Sequence, residues 1–509
     1  MTESKNRPQS DDAILGNSKG DRGGMVLGGI EGVKQRLSSP VESDRIEALS
    51  DAIQYGEEGL KLVMKAFLED TPPVRKKAYT ILRDRDESEA KSILQSPQTW
   101  QYCQKLWTWG HPTPHDVYET VISANGRILA SSYINGTRQY GIDPRIDGQW
   151  IEMWNLKTHQ FVRILKDFER PVKLAISSDG QTLISGECSK HWFVNYIPEY
   201  RETIKVWDIS TGQEVFSGRA GFVLSMTLGM DDRTLAVTHY TSDRRPFSDC
   251  KKYTYTVRIT IWDIQKKKEL NTIEVHHSPP HLNKYTDGSY EESCPVDIYP
   301  ASNIVIVYQN NCFFDEAKQE YTKGIKAWDF SYKEARELYS LPISDTISLR
   351  QLAIAPNGLY FATAVHPYKK PLPETSNDRT RNYSTIKLWN LQPVRQNFNF
   401  NWLFELFKKE SAESAEHSQV YLQEKYCLGL LEGHQGHGES LVFAFSPDGK
   451  ILASASRYNK KDGIKIWDVE SKKEIYTLPQ STPRFMKFHQ DKKILYVVTW
   501  SQIQAWGFE

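Results

Sequence analysis

The segment Ile464-Lys465-Ile466-Trp467-Asp468 is one of seven variants of a single pattern in this chain of 509 residues. In each variant two apolar residues flank a spacer and are followed by Trp and then by Asp, Asn or Gly. The alternation has the period of two that is typical of a β-strand. The tryptophans of the seven segments are Trp154, Trp207, Trp262, Trp328, Trp389, Trp467 and Trp506.

The surroundings of Trp467 show the complete repeating unit. Leu441 to Phe445 alternates as a strand, and Ser446-Pro447-Asp448-Gly449 has the composition of a tight turn. Three more strands follow at Lys450 to Ser456, Ile464 to Val469 and Glu474 to Leu478. Four short strands repeated seven times indicate an all-β, seven-bladed propeller. We call the four strands of a blade a, b, c and d in chain order.

With these segments the chain resembles the WD-repeat β-propeller family over about residues 100 to 509. The seventh unit ends soon after Trp506 and contains no strand d of its own. Residues 102 to 111 parallel residues 426 to 434, which end in Gly433-His434. We therefore expect residues 99 to 111 to supply the missing outer strand, as the resemblance to the family also implies.

The residues before the propeller divide into two parts. Residues 1 to 28 are poor in large apolar side chains, and we predict a disordered tail. Residues 29 to 98 show helical periodicity, and Pro72-Pro73 after Thr71 is a helix start signal. The run from Asp70 to Ala78 resembles the HEAT-repeat signature. A small all-α HEAT-like segment followed by a propeller (99 to 509) resembles a group of bacterial WD-repeat proteins.

Composition limits the partners and the location of the protein. The chain has 64 basic and 64 acidic residues and a formal net charge of +0, so we predict no binding to nucleic acid. No apolar run is long enough to span a bilayer, and residues 1 to 23 do not resemble a signal peptide. These features predict a cytoplasmic, monomeric propeller without membrane insertion. The 6 cysteines have no metal-binding spacing and are expected to be free thiols.

Catalytic and metal-binding patterns are weak. His276, His277 and His281 form a cluster in the connection between blades 3 and 4, without a further Cys or Glu ligand nearby, so we expect exposed loop histidines and predict no metal and no cofactor. Glu119, Asp297 and Lys487 are the notable ionisable residues of the inner strands, and they form no recognisable constellation. We expect a non-enzymatic protein; the alternative is a propeller hydrolase or lyase with its site at the mouth of the central channel.

His434 is the one histidine to which the resemblance assigns a place. In WD repeats the His of a Gly-His pair commonly bonds within its blade to a Ser, an Asp and the Trp. The corresponding residues would be Ser456, Asp462 and Trp467, although Asp462 lies one residue closer to the Trp than is usual. We therefore assign His434 a structural role, together with the seven tryptophans.

The connections between strands b and c are unusually long at 135 to 149, 189 to 202, 241 to 255, 309 to 323 and 367 to 384. They all emerge on one face of the propeller, which we call the b–c face. The resemblance identifies it as the face that often binds peptides in the family. Loops of this length are usually functional or disordered.

These loops contain aromatic and basic residues of the kinds that anchor interfaces. The aromatic residues either bind a partner protein or fold back over the blade edges. The basic residues favour an acidic partner at blades 3, 5 and 6. The predicted partner-binding residues are Trp192, Phe193, Tyr196, Phe313, Phe314, Arg244, Arg245, Lys369 and Lys370.

A second insertion, 392 to 424, lies between strands c and d of blade 5 and therefore on the opposite face. Its segment 401 to 409 groups apolar residues on one side of a helix. This helix is expected to pack on the propeller, to dock the helical arm or to present an exposed surface to a partner.

Overall fold

The computed structural model describes residues 29–110, 117–133, 149–168, 172–188, 202–243, 254–278, 296–299, 301, 303–315, 320–343, 347–367, 383–390, 427–435, 441–457, 459–479, 481–491 and 493–508. The chain divides into two units, Met1–Cys103 and Gln104–Glu509. The first is helical in its described part and the second is built of strands. The predicted disorder of residues 1 to 28 and the insertion 392 to 424 lie outside the described residues.

The described part of the first unit contains five α-helices. They are α1 (Gly29–Leu37), α2 (Glu42–Ala52), α3 (Gly56–Glu69), α4 (Pro72–Arg83) and α5 (Ser88–Ile93), with 3₁₀ turns at Ile53–Tyr55 and Pro97–Tyr102. Two prolines open α4, where the missing N–H donors have no intrahelical partner to lose. Among the described helices, none is long and apolar enough to cross a membrane.

The helical unit has its own apolar core. Val63, Phe67 and Leu82 are fully buried between α3 and α4, and the ring of Tyr102 stacks on Tyr79 at 4.8 Å. Arg45 of α2 donates from Nε to Asp70 at 3.0 Å, where α3 ends. The pattern of apolar residues three and four apart therefore produces a compact helical layer, as the periodicity predicts.

In the residues that the structure describes, twenty-eight strands form seven four-stranded antiparallel sheets. Blade 1 contains β2 (Val117–Ile122), β3 (Ile128–Tyr133), β4 (Gln149–Asn155) and β5 (Gln160–Phe168). Blade 2 contains β6 (Val172–Ile176), β7 (Thr182–Glu187), β8 (Glu202–Asp208) and β9 (Glu214–Arg219). Blade 3 contains β10 (Phe222–Leu228), β11 (Thr234–Asp243), β12 (Thr254–Asp263) and β13 (Lys268–Ser278).

The remaining blades follow the same order. Blade 4 contains β14 (Val296–Tyr299), β15 (Ile304–Asp315), β16 (Glu320–Asp329) and β17 (Arg336–Ile343). Blade 5 contains β18 (Ile347–Ile354), β19 (Tyr360–Pro367), β20 (Tyr383–Asn390) and β21 (Cys427–Gln435). Blade 6 contains β22 (Leu441–Phe445), β23 (Ile451–Ser456), β24 (Ile464–Asp468) and β25 (Lys473–Leu478). Blade 7 contains β26 (Phe485–Phe488), β27 (Ile494–Val498), β28 (Gln502–Gly507) and β1 (Gln104–Gly110).

The sheets are arranged in a closed ring. The a strands of neighbouring blades contact one another all the way round, including β26 of blade 7 with β2 of blade 1. β1 pairs antiparallel with β28 and completes the seventh sheet from the N-terminal side. The predicted seven-bladed propeller is thus confirmed.

The closing strand is shifted relative to the sequence comparison that located it. Lys105 lies opposite Trp506, and Cys427 lies opposite Trp389 in blade 5. The sequence comparison pairs Cys103, not Lys105, with Cys427. A shift of two residues leaves every side chain on its original face of the sheet, so the alternation of apolar residues could not detect it.

A β-bulge interrupts strand d at the same place in all seven blades. The register between strands c and d shifts between the repeat Trp and the residue before it, as between Ile466 and Trp467. One residue of strand d is skipped each time, and it is always a branched aliphatic residue. The seven are Leu106, Val162, Val215, Leu270, Leu338, Leu428 and Ile475.

Turns between strands a and b link neighbouring blades on the face opposite the b–c face. Asn125 of blade 1 donates from its backbone N to Ser178 O at 2.9 Å, and Ser178 N donates to Asp232 Oδ1 of blade 3 at 2.7 Å. In blade 6, Gly449 has a φ of 69°, and a Cβ there would lie 2.4 Å from Asn357 Nδ2 of blade 5. Glycine is therefore required at this turn for both conformation and space.

Two predictions about connections are wrong. Residues 309 to 323 are not a long loop, because β15 and β16 continue through most of it and pair Phe313 with Thr322. Aromatic and β-branched residues in this stretch favour extended strands, and a register shift after Gln309 absorbs the extra residues. His276 and His277 likewise lie in β13 rather than in a loop.

Candidate functional site

The b–c face carries an aromatic and cationic pair in its described part. Trp500 lies in the turn between β27 and β28, and 53% of its surface is exposed. The guanidinium carbon of Arg484, just before β26, lies 3.7 Å from the centre of the Trp500 ring. Both positions lie on the b–c face, because strand a of a blade begins where the antiparallel strand b ends.

Arg484 is held in place by the two blades that meet at the closure. Its Nη1 donates to Val117 O of blade 1 at 2.5 Å, and its backbone N donates to Val498 O of blade 7 at 2.8 Å. The guanidinium is thus fixed under the Trp500 ring, a geometry in which a cation and an aromatic face attract each other. An exposed, preorganised Trp–Arg pair is the kind of group that contributes most at protein interfaces.

The structure describes little of the predicted partner-binding set. Trp192, Phe193, Tyr196, Arg244, Arg245, Lys369 and Lys370 lie outside the described residues. The backbone of Phe313 and Phe314 lies in β15, and their side chains are not among those described. The structure therefore adds Trp500 and Arg484 to this face without testing the predicted residues.

Trp500 is absent from the predicted residues because those were chosen from the long b–c connections. Trp500 lies in one of the shortest, from Thr499 to Gln502, which is closed by a 2.8 Å hydrogen bond between their backbones. The available signal was a tryptophan outside the seven repeat positions, placed in a tight turn after the strand Ile494–Val498.

Inner strands line the central channel, and an ion pair joins two of them at the end nearer the b–c face. Lys173 of β6 donates from Nζ to Glu119 Oε2 of β2 at 2.9 Å. The same Nζ lies 5.1 Å from the centre of the Tyr118 ring. Burial raises the pKa of the Tyr118 hydroxyl, so this phenol stays neutral at physiological pH. Glu119 and Lys173 therefore connect blades 1 and 2.

Asp297 of β14 joins three consecutive blades. Its Oδ2 accepts from Ile354 N of blade 5 at 2.6 Å, and its Oδ1 accepts from Thr227 Oγ1 of blade 3 at 3.2 Å. Oδ1 also accepts from Ile298 N at 2.9 Å. Burial raises the pKa of Asp297, and these donors partly oppose that rise.

Lys487 of β26 also belongs to the innermost ring. No hydrogen bond or ion pair of this lysine occurs within the described ranges, although Asp297 and Asp232 attract its charge. The side chain of Lys487 is exposed toward the channel side of β26, and the inner strands around it partly desolvate its ammonium group, which lowers its pKa. The side chains of Glu119 and Asp297 thus bond to neighbouring blades, whereas that of Lys487 bonds to none of the residues that the structure describes.

The repeat tryptophans have a structural environment that varies with the residue two positions before them. Where that residue is Lys, its ammonium lies over the indole ring, as for Lys465 and Trp467 at 5.9 Å. Lys465 also pairs with Glu474 of strand d at 2.7 Å. Lysines over their tryptophans also occur as Lys205 with Trp207, Lys326 with Trp328 and Lys387 with Trp389.

Blades 1, 3 and 7 differ, because Glu152, Thr260 and Gln504 replace this Lys. Trp154 donates from Nε1 to Glu152 at 3.3 Å, and Trp506 donates to Gln504 at 3.0 Å. In blade 7 the cation comes from the closing strand instead, where Lys105 Nζ lies 5.1 Å from the centre of the Trp506 ring. The charge pattern of strands c and d is thus altered where the ring closes.

His434 is buried at the end of β21, the outer strand of blade 5, and bonds to blade 6 rather than within its own blade; its partner there is Ser454 and not the expected Ser456. His434 Nε2 and Trp467 Nε1 both lie 2.7 Å from Ser454 Oγ. Ser454 and Ser456 share one face of β23, so alternation alone could not choose between them. Asp462 Oδ2 lies 3.7 Å from His434 Nδ1, beyond hydrogen-bonding distance.

Blade 3 contains a second buried histidine network that the sequence did not suggest. His239 Nδ1 accepts from Gly221 N at 3.0 Å, so Nε2 carries the proton toward Thr260 Oγ1 at 2.8 Å. Thr260 and Thr272 lie 3.2 Å apart, and Thr272 donates to Glu269 at 2.6 Å. Burial lowers the pKa of His239 to about 4.

Within the described residues no group of three or more His, Cys, Asp or Glu side chains is arranged to hold a metal ion. Cys103, Cys188 and Cys427 have free thiols. Burial raises the pKa of Cys103 to about 12, which keeps this thiol protonated and unreactive.

Known proteins resemble this chain in structure rather than in sequence. No protein-family model matches the chain, and no curated protein matches its sequence. Among solved structures, hydrazine synthase of Kuenenia stuttgartiensis is similar at 12% identity with a TM-score of 0.46, covering 77% of this chain and 94% of its own. The β-propeller domain of Cps50 (Swd1) from Myceliophteria thermophila is similar at 15% identity with a TM-score of 0.44, covering 79% and 98%.

A third solved structure, of U3-55K, is similar at 11% identity with a TM-score of 0.46, covering 79% of this chain and 98% of its own. Likeness at these levels concerns the propeller fold alone. The function of this chain must therefore be inferred from its own residues.

Proposed function

We propose that this protein is a non-enzymatic interaction scaffold of the WD-repeat type, which binds partner proteins through the b–c face of its propeller. The observation that carries the proposal is the exposed Trp500 ring fixed against Arg484. Aromatic and arginine side chains that are already ordered lose little conformational entropy when they bind. The helical unit, which we propose to be HEAT-like, offers a second surface for assembly.

The state of the channel residues supports a scaffold. Glu119 is paired with Lys173, and the Asp297 carboxylate accepts three hydrogen bonds within the ring of inner strands. These carboxylates connect blades, a role that requires them to stay in fixed positions. Carboxylates used in this way are poor candidates for a general acid or base that must exchange protons with a substrate.

A propeller hydrolase or lyase is the alternative, and Lys487 is the residue that favours it. Its amine faces the inner ring with a lowered pKa, as an amine that acts as a base or nucleophile requires. A hydrolase or lyase activity that Lys487→Met abolishes, with an unchanged melting temperature, would establish the alternative.

Affinity capture from native lysate, read by mass spectrometry, tests the scaffold. The intact protein is compared with Trp500→Ala and with a matched control, Tyr476→Ala, which removes an exposed aromatic ring from the outer part of blade 6. We expect Trp500→Ala to lose specific partners that Tyr476→Ala retains. Charge reversal of Arg244, Arg245, Lys369 and Lys370 tests the acidic-partner hypothesis in the same assay, and unchanged capture would reject that hypothesis.

A further inference from the structure

One level of the wall of the central channel can be located from the strand register. In blade 6, Ala444 of strand a lies opposite Ala453 of strand b, and Ala453 lies opposite Ile466, which directly precedes the repeat Trp. The other six blades pair in the same way, so the equivalent residues of strand a form one ring, which we call the channel ring. Its members in blades 1 to 7 are Val121, Ala175, Thr227, Asp297, Ala353, Ala444 and Lys487.

The side chains of the channel ring face the channel rather than the neighbouring blades. On β26, Met486 and Phe488 are buried, whereas Lys487 between them is exposed. The same alternation on β14 buries both neighbours of Asp297 in the apolar core that blades 3 and 4 share. Since side chains alternate between the two faces of a strand, the ring residues are those that a molecule in the channel would meet.

The polar members of the ring lie at two opposite ends. In a ring of seven blades, the position opposite blade 7 is the junction of blades 3 and 4. Lys487 therefore faces Thr227 and Asp297, which are joined by a 3.2 Å hydrogen bond. The ring is thus a slot with a cation at one end and a carboxylate at the other. Its two sides are short and apolar, formed by Val121 with Ala175 and by Ala353 with Ala444.

The two charges of the slot attract each other without meeting. Asp297 and Lys487 each stabilise the charge of the other, but neither a hydrogen bond nor an ion pair joins their described side chains. All three donors to Asp297 are other groups, namely Thr227 Oγ1, Ile298 N and Ile354 N. Because an ion pair requires its N and O atoms within about 4 Å, a gap remains between the two ends.

Both ends of the slot can accept a further group. The ammonium of Lys487 carries three N–H donors, and none of them bonds to a residue that the structure describes. In Asp297, Oδ1 accepts two hydrogen bonds and Oδ2 accepts one, so Oδ2 retains acceptor capacity. A carboxylate therefore suits the Lys487 end, and an ammonium group suits the Asp297 end.

Charge and size together select the class of molecule. A simple anion is attracted by Lys487 but repelled by Asp297, and a simple cation meets the reverse arrangement. Only a molecule that carries both charges is attracted at both ends. The alanine and valine sides leave room for a short aliphatic skeleton and offer no polar partner to a longer, hydrophilic one.

We propose that the channel ring binds a small aliphatic amino acid, with its carboxylate on Lys487, its ammonium group on Asp297 and its carbon skeleton between the apolar sides. Binding involves no covalent step. The site lies inside the channel and is independent of the b–c face, so the outcome of its test leaves the proposed scaffold function unaffected.

The test is a calorimetric titration of the full-length protein with three ligands that differ by one charged group. L-Alanine carries both groups, propionate lacks the ammonium group and ethylamine lacks the carboxylate. We expect alanine to bind about tenfold more tightly than either of the others, because it alone pairs with both ends of the slot. Equal binding of propionate or ethylamine, or no binding of alanine, would overturn the proposal.

Variants locate the site. Lys487→Met should weaken alanine binding by about tenfold, whereas the matched control Lys493→Met, which removes an exposed lysine from the a–b turn of the same blade, should bind as the parent does. Ala444→Leu keeps both charges but fills the slot and should abolish binding. An unchanged affinity of Lys487→Met or an equal loss in Lys493→Met would reject the site. The comparison of the three ligands uses the parent protein and stays decisive where a variant fails to fold.

Discussion

Lys105, at the start of the first propeller strand, lies over the ring of Trp506 in the last, with Nζ 5.1 Å from the ring centre. The two residues are directly opposite each other in the register of β1 and β28. Four other blades place a glutamate at the position of Lys105, namely Glu214, Glu269, Glu337 and Glu474. The closing strand therefore carries a positive charge at a position where four of the six internal d strands carry a negative one, and the other two have Phe161 and Cys427.

The charge of Lys105 predicts that a second substitution can compensate for its reversal. Lys105→Glu should lower the free energy of unfolding by about 1 kcal/mol, because it removes the cation from the Trp506 ring. Adding Gln504→Lys recreates the Lys–Glu arrangement of blade 6 and should recover at least half of that loss. Denaturant unfolding of the two single variants and the double variant gives the coupling energy between residues 105 and 504. Strictly additive changes in the free energy of unfolding would contradict the predicted compensation.

Asp297→Ala should lower the free energy of unfolding by about 3 kcal/mol, because Ile354 N, Ile298 N and Thr227 lose a buried acceptor at once. Since Asp297 ties blades 3, 4 and 5 together, the loss should also broaden the transition. The matched change is Asp232→Ala, which removes an acceptor that links blades 2 and 3 only. If Asp297→Ala lowers the free energy of unfolding no more than Asp232→Ala does, the result would refute the role of Asp297 in joining three blades.

Asp297 also predicts a pH dependence. Its folded pKa is raised, so the folded protein holds this proton more tightly than the unfolded chain does. Its contribution to stability is then greatest below the unfolded pKa of about 3.9 and is lost as the pH rises through the folded value. The stability of the parent minus that of Asp297→Asn should therefore fall with rising pH, and a constant difference would exclude the shift.

His239 predicts the opposite dependence. Its folded pKa is about 4, below the unfolded value of about 6.5. Its contribution to stability is complete above the unfolded pKa and is lost as the pH falls toward the folded value, amounting to about 3 kcal/mol. Denaturant unfolding between pH 7 and pH 4 should show this loss in the parent and not in His239→Gln. The same loss in both proteins would assign it to other groups.

The propeller could be predicted from sequence because its signal is periodic and repeated. The seven Trp-ending strands, the turn before Lys450 and the outer strand near Lys105 all follow from alternation and turn chemistry. Features that preserve alternation could not be predicted, such as the two-residue shift of β1 and the choice of Ser454 over Ser456. The bulge in strand d has a visible trace, since an aliphatic residue follows Glu in Glu214-Val215 and Glu474-Ile475, but its meaning emerges only from the pairing.

The binding surfaces were harder to predict because they depend on what neighbouring blades bring together. Trp500 becomes an anchor only when Arg484 is held beneath it by Val117 of another blade. Loop length points to the same face as Trp500 but not to this residue.

The central claim is that the b–c face binds partner proteins through Trp500. The most direct measurement is the dissociation constant of a captured partner for the parent, for Trp500→Ala and for Tyr476→Ala, obtained by calorimetric titration with purified proteins. The account predicts that Trp500→Ala weakens binding by about 30-fold, as expected for a central aromatic anchor, while Tyr476→Ala binds as the parent does. An affinity of Trp500→Ala equal to that of the parent, with both variants fully folded, would contradict it.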